Sequence, residues 1–268
     1  MPGITREADS FRPAEPLNGE RMIPRLLVPL MLFLMALPLM ADDEMAEITD
    51  RISERLQSIN PELRPDRVER SPVPDLYQVV IGGQVLYITG DGRYLVQGDM
   101  MDLELRRSVS DGLRGQVRLE QLDAHGTENM IIYPADGETA HVITVFTDID
   151  CSYCRQMHNN LADYTSRGIE VRYLQMPRAG VGTESHRKAV AVWCADDRNA
   201  AMDEAKLTGS FRGDTGCDNP VEEQLALAQA LGVNTTPSII SDQGVMHRGM
   251  VPADDLREML DEEKSAAR

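Results

Sequence analysis

Positive charge is scarce in this chain. Across 268 residues, 27 lysines and arginines face 44 aspartates and glutamates, a formal net charge of −17. Such a surface repels phosphate backbones, which excludes sequence-independent nucleic-acid binding and disfavours docking on anionic lipid. Long apolar runs are missing too. The longest, Leu26–Met40, holds fifteen apolar or proline residues, short of the ~20 that a membrane-spanning helix needs. Aromatic residues make up only 4%, with a single tryptophan, Trp193. Four cysteines occur, and only one C-x-x-C, Cys151–Cys154; there is no H-x-x-H. The usual four-ligand zinc patterns are therefore absent. Covalent haem attachment needs a histidine after the second cysteine, and that position is Arg155. No metal site and no cofactor are expected. Internal repeats and extended low-complexity tracts are also lacking.

What remains is 42% hydrophobic and 26% charged, the balance of a globular protein of one or two domains. Residues 21–41, RMIPRLLVPLMLFLMALPLMA, place Arg21 and Arg25 before the apolar run and a small residue, Ala41, after it. That is the layout of a secretory signal peptide, with an anchored leader as the rival reading. Met22 is a more ordinary start than Met1. Residues 1–41 are thus expected to be a leader, and the remaining chain to enter an oxidising compartment where disulfides persist.

After the leader, Met45, Ile48, Ile52, Leu56 and Ile59 recur at helical spacing, with Asp42, Asp43 and Glu44 suiting the positive N-terminal end. Pro61 ends that helix. The runs LYQVVI, QVLYIT and RYLVQG follow, joined by Gly82-Gly83 and Asp91-Gly92, both strong hairpin signals. Residues 42–105 therefore read as a small α+β unit with a meandering antiparallel sheet, and 106–128 as a polar linker helix closed by Gly126. From 129 to 268 the order changes. HVITVF, a helix from the C-x-x-C, IEVRYLQM, a helical insertion, a hairpin and a closing helix give the α/β thioredoxin arrangement.

Cys151-Ser152-Tyr153-Cys154 follows a strand and opens a helix. A thiolate is the nucleophile of disulfide exchange, and a helix N-terminus stabilises it. The spacing lets Cys151 attack a substrate disulfide and Cys154 resolve the mixed disulfide. A zinc site with His158 as a third ligand and a purely structural disulfide are the competing readings. The four cysteines can pair in three ways, and the residues alone do not choose. Asp148 and Asp150 precede the helix; a carboxylate there could shuttle the Cys154 proton, or Asp150 could cap the helix. His158 reads as a helix-surface residue. Thr235-Thr236-Pro237 heads a later strand, and with a C-x-x-C upstream it reads as a cis-proline loop whose Thr236 backbone approaches the sulfurs and pairs with substrate.

Several long stretches carry a family resemblance: VLYITGDGRYLVQGDMMD, HVITVFTDIDCSYCRQMHNNLADY, GIEVRYLQMPRAG, AVWCADDRNAAMDEA and LALAQALGVNTTPSII. In these the chain resembles periplasmic protein-disulfide isomerases of the DsbC type. The resemblance implies a cystatin-like α+β N-terminal dimerisation domain, a linker helix and a thioredoxin-like domain with a helical insertion. It implies a homodimer that isomerises incorrect disulfides in misfolded exported proteins, kept reduced by a membrane thiol reductase of the DsbD type. Carried onto this chain, Cys151 is the exposed nucleophile, Cys154 the resolving thiol, and Thr236-Pro237 the cis-proline pair. Cys194 and Cys217 correspond to a structural disulfide, closing a loop of about 22 residues worth roughly 3 kcal/mol. Ser152 departs from the glycine of the most familiar members, which leaves the reduction potential open. A DsbG-like reductase of single oxidised cysteines and a dimeric holdase are the alternative functions.

Overall fold

The computed structural model describes residues 37–266. Most of the leader, including its positive region, lies outside the described residues. Helix α1, Leu37–Ile59, begins before the expected start, so Asp42, Asp43 and Glu44 fall inside it and its first turn carries no acid. Pro38 is tolerated there because the first-turn N–H has no helical partner. Ile48, Ile52 and Leu56 are buried as their spacing predicts, whereas Ile59, at the last position, is 79% exposed.

An antiparallel sheet follows in the order β1-β2-β3-β4. It comprises β1 (Arg67–Arg70), β2 (Leu76–Ile81), β3 (Gln84–Thr89) and β4 (Leu95–Val96). Gly82 and Gly83 close the β2–β3 hairpin with φ of 54° and 83°, a left-handed pair that favours glycine. Strand β1 lies in the stretch bearing Pro61, Pro65, Pro72 and Pro74, which carries no strand signal of its own. Its RVER sequence suits an edge strand, and Pro65 and Pro72 flank it where no ladder bond is lost. The RYLVQG run forms only the two-residue β4, and a short β5–β6 hairpin (Met101–Asp102, Arg107–Ser108) comes after it.

Helix α2, Val109–His125, starts at Ser108, whose side chain accepts from the Asp111 N–H, and stops at Gly126 with φ 83°. Its apolar residues look like one imperfect stripe because they serve two cores. Leu113 and Val117 pack with Val80, Val85 and Tyr87 of the first sheet. Leu122 packs instead with Met130, Phe146 and Leu174, a burial worth about 2 kcal/mol. The Arg118 guanidinium also donates to the Gly244 carbonyl at 2.9 Å.

The second sheet has the order β11-β10-β8-β9-β7, from β7 (Ile131–Tyr133), β8 (His141–Thr147), β9 (Ile169–Gln175), β10 (Ser238–Ser241) and β11 (Met246–Arg248). Strands β8 and β9 run parallel, and β10 pairs antiparallel with β8. Successive side chains feed opposite faces. Ile143, Val145, Val171, Tyr173 and Ile239 enter one core, and Phe146, Leu174 and Ile240 the other. The crossover expected as one helix is two, α3 (Ser152–Asn159) and α4 (Leu161–Thr165), because Asn160 leaves helical geometry at φ −101°, ψ 19°. Helices α5 (Glu184–Trp193), α6 (Arg198–Thr208) and α7 (Val221–Ala230) form the insertion, and α8 (Ala253–Ala266) closes the chain. Among the described residues no helix is long and apolar enough to cross a membrane.

Candidate active site

Strand β8 is buried up to Thr147 except at half-buried Val142, and Ile149, 1% exposed, anchors the turn that follows. The chain then has to turn into α3 at the sheet end, and Cys151 is the N-cap, with φ −82° and ψ 120°. Asp148 organises this turn. Its buried carboxylate accepts from the Asp150 N–H at 2.9 Å, the Arg178 N–H at 3.0 Å and the Ser185 hydroxyl at 2.6 Å. Burial alone would raise its pKa, but these bonds and the Arg178 guanidinium outweigh it and hold the carboxyl below the usual range. Fully occupied in this way, Asp148 is no free proton shuttle. Asp150 is not a cap either: its carboxylate pairs with Lys188 Nζ at 2.6 Å.

Cys151 and Cys154 are both free thiols and both buried. The resemblance implies an exposed sulfur at Cys151, yet the residue is 3% exposed, because the Thr236 segment lies over it. The Cys151 thiol donates to the Thr236 carbonyl oxygen at 3.2 Å. The Thr236–Pro237 peptide bond is cis, and Thr236 itself is 4% exposed. Burial pushes the Cys151 pKa up, but the Thr236 hydroxyl, the Cys154 N–H and thiol and the Arg178 charge together bring it below the ordinary value. Cys154 goes the other way. Burial raises it, and the opposing Lys206 charge, Asp148 backbone and Thr147 hydroxyl do not compensate. One thiol is thus disposed to ionise and the other to keep its proton, the division of labour that attack and resolution require.

Two groups near the sulfurs were not legible in the sequence. Lys206 on α6 is 0% exposed, and burial brings its ammonium down to about 8. The one available signal is its spacing, four residues after buried Met202 on the apolar face. Arg178, after β9, reaches back to Asp148. His158 is also corrected: it is 7% exposed rather than on the surface. Its Nε2 lies 3.0 Å from Asp203, which also accepts from the Tyr133 hydroxyl at 2.6 Å. Burial, then the Lys206 charge, lower the His158 pKa against the opposing Asp203 carboxylate. Among the described residues no cluster of histidine, cysteine and carboxylate side chains could hold a metal ion. Away from the thiols, Cys194 at the end of α5 is disulfide-bonded to Cys217, with a Cα–Cα distance of 5.7 Å.

Comparisons with known proteins bear on both halves of the chain. Residues 40–111 match the family described as disulfide bond isomerase protein N-terminal domain, and residues 127–264 match the thioredoxin-like domain family. The thiol:disulfide interchange protein DsbC of Escherichia coli (strain K12) is 38% identical over 200 residues, 75% of this chain and 83% of that protein. The DsbC of Haemophilus influenzae is 34% identical over 83% of this chain and 92% of its own. Among solved structures, a disulfide interchange protein from Neisseria gonorrhoeae aligns at 29% identity and TM-score 0.46, covering 52% of this chain and 98% of that one. The chain belongs to the DsbC family and is an enzyme of thiol–disulfide interchange.

Proposed function

We propose that Cys151 is the attacking thiolate and Cys154 the resolving thiol of an isomerase acting on incorrect disulfides in misfolded exported proteins. The observation that carries this assignment is geometric: Cys151 is the N-cap of α3 beside the Thr236 carbonyl, whereas Cys154 lies one turn inside the helix and is 1% exposed; the opposite pKa directions of the two thiols agree with it. Attack by Cys151 forms a mixed disulfide and releases one substrate sulfur as thiolate. That thiolate can attack another substrate disulfide, and the last substrate thiolate expels Cys151 unchanged, so bonds are reshuffled without net oxidation. Alternatively Cys154 displaces the substrate, which leaves reduced substrate and an oxidised enzyme. The second outcome calls for an external dithiol, and a membrane reductase of the DsbD type fits that need. Backbone at Thr236, beside Cys151, is suited to pair with an extended substrate strand. The Cys194–Cys217 bond is structural.

The domain roles follow the same reading: residues 1–41 as leader, 42–105 as dimerisation domain, 106–128 as linker and 129–268 as catalytic domain, working in the periplasm. A homodimer is supported by one patch. Tyr94, Leu95, Val96, Met101, Leu103 and Leu105 are each at least half exposed, between 51% and 86%. They lie on a two-residue edge strand and the hairpin after it, where unpaired backbone and apolar side chains invite a second copy. Refolding of a scrambled multi-disulfide protein by wild type and by Cys151→Ala tests the assignment. Isomerase activity is expected only from wild type, and activity retained without Cys151 sinks it.

A further inference from the structure

Away from the thiols, three arginines converge where the linker helix meets the catalytic domain. Arg114 and Arg118 lie one turn apart on α2, and Arg248 is on β11, two residues after Met246. All four line a cavity of about 500 Å³, together with Asp99 and Asp111. The close approach is built into the backbone. Gly244, in the turn before β11, has φ 78°, and a Cβ on it would fall 2.3 Å from the Gly115 carbonyl oxygen. Only glycine there lets α2 rest on the hairpin.

Like charges four residues apart on a helix repel. This chain, at −17, has acids to spare, yet both carboxylates at the cavity go to one arginine. Asp99 and Asp111, with side chains 63% and 67% exposed, bind Arg114. Among the described residues no carboxylate pairs with Arg118 or Arg248. Arg118 is only 9% exposed, and its guanidinium makes one hydrogen bond there, from Nη1 to the Gly244 carbonyl oxygen at 2.9 Å. Its buried Nε has no partner. Arg118 also lines a second cavity, of about 190 Å³, with Arg114 and Arg248 beside it again. Burial lowers the Arg118 pKa; the Asp111 carboxylate opposes this, and the Arg114 and Arg248 charges add to it. A buried cation with an open donor edge is stabilised by an anion that fits it.

We propose that this junction is an oxyanion site, in which Arg118 and Arg248, with Arg114 at the rim, bind a phosphate group. The Nε–Nη2 edge of a guanidinium is a planar fork that matches two oxygens of one anion. A carboxylate has two oxygens in one plane and satisfies one such fork. A phosphate has oxygens in further directions, so the same group can also meet Arg248 from the other element. The larger cavity is of ligand-binding size, with room for a phosphate on a small organic molecule as well as for the free ion. Bound there, the anion bridges α2 and β11 and so ties the linker to the catalytic domain.

The test uses the full-length protein, with inorganic phosphate and glycerol 3-phosphate as calorimetric probes. Sodium chloride holds the ionic strength constant, and acetate is the planar comparison. One phosphate per chain should bind saturably and more tightly than acetate. Arg118→Met, which keeps the apolar stem, and Arg248→Gln should each weaken binding by at least about tenfold, the loss of a charge-assisted hydrogen bond. Phosphate should also slow hydrogen exchange in peptides covering residues 114–118 and 244–248. Either probe binding in this way upholds the site, and the tighter of the two identifies its source, free ion or organic phosphate. No saturable phosphate binding above the chloride background, binding no tighter than acetate, or protection confined to other segments overturns the proposal. So does unchanged affinity in either variant. If Arg118→Met fails to fold, Arg248→Gln, at an exposed position, decides alone.

Discussion

The sulfur of Cys151 lies 3.2 Å from the carbonyl oxygen of Thr236, a residue 85 positions later in the chain. In the thiol form Cys151 donates to that oxygen. In the thiolate form the same oxygen repels it, and the buried Thr236 hydroxyl, which has no other hydrogen-bond partner, becomes the group that can donate. One residue thus presents an acceptor to the thiol and a donor to the thiolate.

Removing the donor should therefore make Cys151 harder to ionise. Thr236→Val is expected to raise the pH midpoint of Cys151 alkylation by about one unit, a tenfold loss of thiolate at mildly acidic pH. In wild type, brief alkylation at that pH should label Cys151 and spare Cys154. Mass mapping against pH checks both; an unmoved midpoint, or label on Cys154, contradicts this account.

The buried lysine predicts a stability effect of definite sign. Burial brings Lys206 to about 8, against 10.5 for an ordinary lysine. Between those values the unfolded chain holds the proton and the folded chain does not, so stability rises with pH through that window. Below about pH 8 the penalty is fully present. Lys206→Met should accordingly stabilise the protein at pH 7, by on the order of 3 kcal/mol, with the advantage fading as pH approaches 10. Urea denaturation at fixed protein concentration, with Cys151 and Cys154 replaced by alanine, measures it. A variant no more stable than its parent at pH 7 refutes the sign.

The two cysteine pairs should separate in a redox titration. The Cys151 thiolate is favoured by Thr236, Cys154 and Arg178, which stabilises the reduced active site and makes its disulfide easy to break. Cys194 and Cys217, partly buried against the main core, should reduce only under stronger conditions. Replacing both by alanine should lower stability by roughly 3 kcal/mol, since their bond spans 23 positions. A single shared transition in the titration would argue against a structural role.

Dimerisation can be tested without truncation. Leu95, on the edge strand of the first sheet, is 51% exposed, and Leu103, in the turn of the β5–β6 hairpin, is 86% exposed. Leu95→Asp with Leu103→Asp should give a monomer by sedimentation, because burying two unpaired carboxylates opposes association. Cys151 alkylation should be unchanged, while activity on scrambled protein should fall. A dimer that survives both substitutions places the interface elsewhere.

Cutting the chain after the linker, at Asn129, would remove part of the thioredoxin core. Leu122 of α2 belongs to the thioredoxin core, and Arg118 binds Gly244. Helix α2 was legible from its capping residues and apolar positions. Its double allegiance was not, because a single stripe does not say that its two ends face different sheets.

The strands at LYQVVI, QVLYIT, HVITVF and IEVRYLQM, their Gly-Gly and Asp-Gly turns, and the C-x-x-C at a strand-to-helix junction were all readable because periodicity and turn chemistry are local. Local rules also place β-poor, charged RVER among loops, and only pairing with Leu76–Ile81 makes it a strand. The sequence by itself determined which residues carry sulfur chemistry and which two elements present it. Tertiary structure alone decided the environment of each sulfur: the Thr236 backbone beside Cys151, and the burial of Cys154 together with the charge of buried Lys206 acting on it. Those neighbours come from distant parts of the chain, and the desolvation and charge that separate two chemically identical thiols exist only once the chain has folded around them.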